Sequence, residues 1–130
     1  MGALDFIHDK AEFIKRSREG ITKDTFLVIL NKTGITLTEM SRFVHVSARS
    51  IQMKKDTDRL STDISAKALT IARLYSRGEE VFGSDNKFKK WMTTENIAMG
   101  GVTPISYLDL IEGINLVVDE LTSIEHGFAA

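Results

Sequence analysis

The chain has 130 residues, 42% of them hydrophobic and 27% charged, the balance of one ordinary globular domain or of two small ones sharing a core. No apolar run approaches the ~18 residues needed to cross a bilayer. The N-terminal "MGALDFIHDKAEF" carries acids where a secretion signal needs a basic start and an apolar stretch. With no cysteine there is no disulfide, no thiolate nucleophile and no Cys-based zinc site, and the expected location is the cytoplasm. Net charge is −1 but unevenly spread: residues 1–60 hold 11 Lys/Arg against 8 Asp/Glu, and residues 61–130 hold 6 against 10. A mildly basic half followed by an acidic half points to two surfaces with different partners.

The hydrophobic pattern is helical almost throughout, and no stretch alternates long enough to predict a strand, so the fold class is all-α. Residues 5–17 place Phe6, Ile7, Ala11, Phe13 and Ile14 on one broad face, and Gly20 ends that helix. Thr22 caps the next, with Phe26, Ile29 and Leu30 as its apolar side and Gly34 as its stop. Two short helices follow, roughly 37–44 and 48–56, with almost no loop between them. Ser61 and Thr62 offer N-caps for a long helix, where Asp63 suits the positive end of the dipole. Its seam runs Ile64, Ala68, Ile71, Tyr75, Gly78, Phe82, and Gly83 is its stop. Gly78 within the seam predicts a close approach or a break, because glycine costs about 1 kcal/mol there relative to alanine.

A short helix carrying Phe88, Trp91 and Met92 comes next, and these residues belong to the core by their spacing. The loop "MGGVTPISYL" lacks the preceding strand and the further glycines of a phosphate cradle. It reads as a tight connector with Thr103 as N-cap and Pro104 at the first helical position. The last helix repeats Leu110, Ile114, Val117, Leu121, Ile124, a seam for a dimer or for burial within the chain. Functionally the chain divides into residues 1–60 and residues 61–130.

The stretch "LTEMSRFVHVSARSIQMKK" meets the demands of a helix-turn-helix. Ser41 is the small residue where two helices cross. His45 takes the left-handed turn position, Val46 is the apolar plug, Ser47 is the N-cap, and Ile51 points inward. At ~100° per residue an inward Ile51 turns Arg49, Gln52, Met53 and Asp56 outward and leaves Ser50 on the flank. Arg bonds guanine O6 and N7, and Gln bonds adenine N6 and N7, in the major groove. Ser47 and the free amides of the helix start suit a phosphate, and Arg42, Lys54, Lys55 and Arg59 add phosphate contacts. The alternative is an exposed helical hairpin with ordinary surface charge. Catalysis is not expected: His8, His45 and His126 are scattered, and neither a metal-ligand motif nor a nucleophile elbow is present, so no metal and no cofactor are expected.

In the second half, "RLYSRGEEVFG" (Arg73–Gly83), Trp91 followed by "TTENIAMGG", then "TPISYLDL", Gly113 and the closing "IEHG" together resemble the Xre/MbcA/ParS-type antitoxin family. The resemblance covers roughly residues 36–130, with the helix-turn-helix upstream as that family has it. It implies an all-helical protein, an Xre-like helix-turn-helix bundle followed by a toxin-binding and dimerisation region. It also implies a homodimer that binds operator DNA, represses its own operon, and neutralises a RES-type toxin that consumes NAD. Carried onto this sequence, the toxin contact falls on Leu121, Ile124, Glu125, His126, Gly127, Phe128, Ala129 and Ala130, and the acidic charge of this half adds Glu120, beside Glu125, as a partner for basic residues of a toxin. Gly127 and His126 equally suit a simple helix terminus. Two other readings remain at this stage: a stand-alone regulator whose C-terminal half only dimerises or senses a signal, and a pure interaction domain.

Overall fold

A computed structural model describes residues 2–127, and among these there is no strand, only isolated bridges between Thr22 and Arg59 and between Asn96 and Val102. The helices are α1 (Lys10–Glu19), α2 (Lys23–Thr33), α3 (Leu37–Phe43), α4 (Ala48–Gln52), α5 (Thr62–Phe82), α6 (Asp85–Met92) and α7 (Ile111–Glu125). Short 3-10 turns cover Asp5–His8, Ile97–Met99 and Pro104–Tyr107. The chain forms two compact units that divide between Arg73 and Leu74, inside α5.

In the first unit Phe26, Ile29, Met40, Phe43, Ile51, Ala68 and Leu69 are buried together with Ile7, Ile21 and Leu60. The helix expected over 5–17 is interrupted. Asp9 leaves the helical conformation and its carboxylate accepts the Glu12 N–H at 3.1 Å, so the chain makes a 3-10 turn and then starts α1 afresh. The expected apolar face is correspondingly incomplete, and Ile14 is 48% exposed. Phe6 and Phe13 are covered instead by guanidinium groups, Arg16 at 4.6 Å and Arg73 at 4.3 Å from the ring centres. Thr22 caps α2 by accepting the Thr25 N–H at 3.2 Å, and Gly34 closes it in the left-handed conformation.

In the second unit the aromatic side chains of α5 and α6 meet. Tyr75 and Phe88 make an edge-to-face pair at 5.1 Å, and Phe82 contacts Phe88 and Trp91 at 5.6 Å each. Gly78 lies under the Phe88 ring, which occupies the space a side chain would need. The loop after α6 turns on Gly100 and Gly101, both at positive φ, and the Asn96 carbonyl accepts the Gly101 N–H at 2.9 Å. Tyr107 closes this loop by donating its hydroxyl to the Met99 carbonyl at 2.6 Å. Pro104 does begin a helical turn, but of the 3-10 type, and the Thr103 side chain makes no cap bond. The last helix starts at Ile111. Ile114, Val117 and Leu121 are buried within the chain, while Leu110 precedes the helix and is 58% exposed.

Replacing Gly78 by alanine is expected to lower stability by about 1–3 kcal/mol through overpacking against Phe88. Helix propensity alone favours alanine by about 1 kcal/mol, so a raised midpoint in thermal unfolding would contradict the packing assignment.

Candidate nucleic-acid interface and partner-facing helix

The α3–α4 hairpin is shaped by local chemistry. Thr36 caps α3 by accepting the Glu39 N–H at 3.1 Å. After Phe43 the chain turns through His45 at φ 61°, and the Val46 N–H returns to the Ser41 carbonyl at 3.0 Å. Left-handed backbone is unusual for a residue with a Cβ; His45 adopts it, and its Nε2 lies 3.4 Å from the Lys67 ammonium. Ser41 is buried at the crossing of the two helices, and its hydroxyl has no hydrogen-bond partner. Small size is therefore what the position requires. Ser47 caps α4, accepting the Ser50 N–H at 3.1 Å, and Ile51 points into the core.

With Ile51 inward, Arg49, Ser50, Gln52 and Met53 are exposed, as the helical spacing predicts. Arg42 is also exposed, and its guanidinium lies 4.8 Å from the Phe43 ring centre. The structure departs from expectation beyond Gln52. The helix predicted over 48–56 ends there, so Lys54, Lys55 and Asp56 lie on the segment that follows it. That segment is bound to the start of α2. The Lys23 N–H donates to the Asp58 carbonyl at 2.9 Å, and the Asp24 N–H to the Asp56 carbonyl at 3.0 Å. The Lys23 ammonium donates to the carbonyls of Gln52 (3.1 Å) and Lys54 (2.9 Å), a cation at the negative end of α4.

Lys55 gives its N–H to the Asp58 carboxylate at 2.8 Å, and its exposed side chain remains at the surface. Arg59, also exposed, makes a bond within the first unit as well. Its guanidinium donates to the Gly20 carbonyl at 2.7 Å, next to the Leu60 N–H that bonds to the Ile21 carbonyl at 2.8 Å. Arg59 thus ties the first unit together. Lys23 is not recognisable from sequence spacing as part of this surface. Its one signal is its place at the first position of α2, where a cation opposes the dipole and so serves something outside its own helix.

At the other end of the chain, Leu121 belongs to the core, Glu120 and Ile124 are half-buried, and Glu125, His126 and Gly127 are exposed. Glu125 is paired with Arg77 at 3.3 Å, and Arg77 also donates to the Thr122 hydroxyl at 2.7 Å. The His126 N–H bonds to the Thr122 carbonyl at 3.1 Å, and Gly127, at φ 75°, bonds to the Ile124 carbonyl at 3.0 Å. Gly127 is thus a helix terminus, whatever else it contacts. Phe128, Ala129 and Ala130 lie outside the described residues. Among the described residues no group of three or more His, Cys, Asp or Glu is placed to hold a metal ion, and no helix is long and apolar enough to cross a membrane.

Residues 12–73 match the antitoxin Xre-like helix-turn-helix domain, and residues 77–127 match the antitoxin Xre/MbcA/ParS C-terminal toxin-binding domain. The junction of the two matches coincides with the division between the compact units. A curated relative, antitoxin Xre of Pseudomonas putida, is 29% identical over 105 residues. That alignment takes in 80% of this chain and 65% of the relative, so the chain spans just under two thirds of the relative's length.

The different placements of Arg49 and Arg59 separate by experiment. Arg59→Ala is expected to lower stability by about 1–2 kcal/mol, the contribution of a partly exposed hydrogen bond from a charged donor. Arg49→Ala is expected to stay within about 0.5 kcal/mol of wild type, as exposed surface substitutions do. Urea unfolding of both variants checks this, and equal losses would remove the distinction.

Proposed function

Because the chain belongs to the Xre/MbcA/ParS antitoxin family, we propose that it neutralises a cognate toxin by direct binding and represses its own operon by binding operator DNA. The toxin is of the RES type and consumes NAD. The protein acts by occupancy, in the cytoplasm, as a homodimer. The observation that carries the DNA half is the row of exposed side chains Arg49, Gln52 and Met53 on a helix braced from behind by Lys23. The toxin half is supported by the match of residues 77–127 to a toxin-binding domain, which favours an antitoxin over a stand-alone regulator.

In this reading Arg49 and Gln52 contact base edges. Arg42, Lys54 and Lys55 contact phosphates, with Ser47 and Ser50 at the helix start. Arg59 is exposed and adds a phosphate contact, while its guanidinium also donates to the Gly20 carbonyl. Toxin contact uses Glu120, Ile124, Glu125, His126 and the chain from Gly127 to Ala130, with Leu121 holding the helix in place. Glu125 already has a cationic neighbour in Arg77, so a basic residue of the toxin at that point competes with an existing pair. Dimerisation falls to exposed apolar residues such as Leu110, Ile111 and Leu116, since the seam of α7 is used within the chain. Two copies present two reading helices, which suits half-sites about 34–36 Å apart or multiples of that spacing.

Arg49→Ala and Gln52→Ala are each expected to weaken operator binding by ~1–3 kcal/mol, whereas Lys55→Ala should weaken binding across sequences and flatten its salt dependence. Mobility shifts on the DNA upstream of the gene measure both, and unchanged binding by Arg49→Ala would remove the reading face. Deleting residues 127–130 is expected to leave the helical circular dichroism signal and operator binding in place while reducing protection of cells that co-express the toxin. Full protection by the truncated chain would move the toxin contact elsewhere.

A further inference from the structure

Met53 is 73% exposed, and among the described residues of the first unit the next most exposed large apolar side chain, Ile14, is 48% exposed. It is the C-cap of α4 and still has helical backbone angles, with its N–H bonded to the Arg49 carbonyl at 3.0 Å. Its side chain therefore continues the face that carries Arg49 and Gln52, which lie four and one positions before it. The carbonyls on either side, those of Gln52 and Lys54, are held by the Lys23 ammonium, so the backbone under Met53 is fixed. An apolar group held out into water beside two hydrogen-bonding side chains has a matching target in the major groove. Of the groups the base pairs present there, the 5-methyl of thymine is the apolar one.

We infer that Met53 reads a thymine methyl group. The inference rests on the DNA-binding role of α4 and adds the identity of one base to it. Arg49 and Met53 are separated by about 6 Å along the helix at 1.5 Å per residue, close to two base steps of about 3.4 Å. The thymine accordingly lies within about two base pairs of the base that Arg49 contacts. A flexible thioether also accommodates the methyl group on either strand, because it has three rotatable bonds.

The test uses the full-length chain and a duplex that wild type recovers from a randomised pool. Each thymine in that duplex is replaced in turn by uracil, which removes the methyl group and leaves the pairing edge unchanged. Wild type is expected to bind about fourfold more weakly at one position near the Arg49 contact, the value of one methyl group left in water. Met53→Ala is expected to bind the thymine and uracil duplexes equally, and Met53→Leu to keep the difference. Uracil replacement without effect on wild type, or an undiminished difference in Met53→Ala, overturns the assignment of Met53 while leaving the DNA-binding reading in place. Failure of wild type to recover any duplex sinks both. If Met53→Ala instead weakens only toxin binding, the residue belongs to a protein contact and the inference is wrong.

Discussion

The amides that open a helix have no carbonyl partners within it, and at α2 two of them are met by the segment that follows α4. Lys23 and Asp24 donate to the carbonyls of Asp58 and Asp56, and Ile21 donates to the Ser65 hydroxyl at 2.9 Å. The Lys23 side chain completes the joint by gripping the end of α4. A helix of five residues is far too short to persist by its own hydrogen bonds. Its direction, and so the direction of Arg49 and Gln52, depends on this joint and on Ile51 in the core. The basic patch on a slightly acidic protein is thus a presented surface with a buried anchor, and its charges are not all equivalent.

The second unit is organised around a different constraint. Phe88 sits where Gly78 offers no side chain, which brings α6 against α5 and lets Tyr75, Phe82 and Trp91 surround the same ring. Gly113 plays a comparable part at the start of α7, where Tyr107 occupies the space beside it. With Ile114, Val117 and Leu121 committed to the core, α7 offers a partner its half-buried and exposed positions only. The toxin-binding surface proposed there would draw on residues between the core positions, which the apolar periodicity of the helix does not mark.

Much of this was legible in the sequence where the determinants are local. Thr22 and Ser47 as caps, Gly34 and Gly83 as stops, the left-handed turn at His45 and the inward Ile51 each follow from a few neighbouring residues. Gly78 was legible because a glycine in an apolar seam needs a close neighbour. The end of α4 was not, since the carbonyls there are held by Lys23, 29 and 31 positions away. Charge alone does not reveal that Arg59 also bonds to the Gly20 carbonyl, 39 positions earlier. Asp9 was hidden inside a continuous apolar pattern, where its capping bond outweighed periodicity. Leu110 fitted the heptad of α7 but precedes the first helical residue.

The central claim is that one chain meets DNA with α4 and a toxin with the end of α7. Amide hydrogen exchange of the full-length protein, alone and with each partner in turn, reads both contacts in one measurement. The account predicts that operator DNA slows exchange in residues 47–55 and leaves 111–127 unchanged, while the toxin slows exchange in 111–127 and leaves 47–55 unchanged. Protection of the same residues by both partners, or protection by DNA confined to residues 74–127, would contradict it.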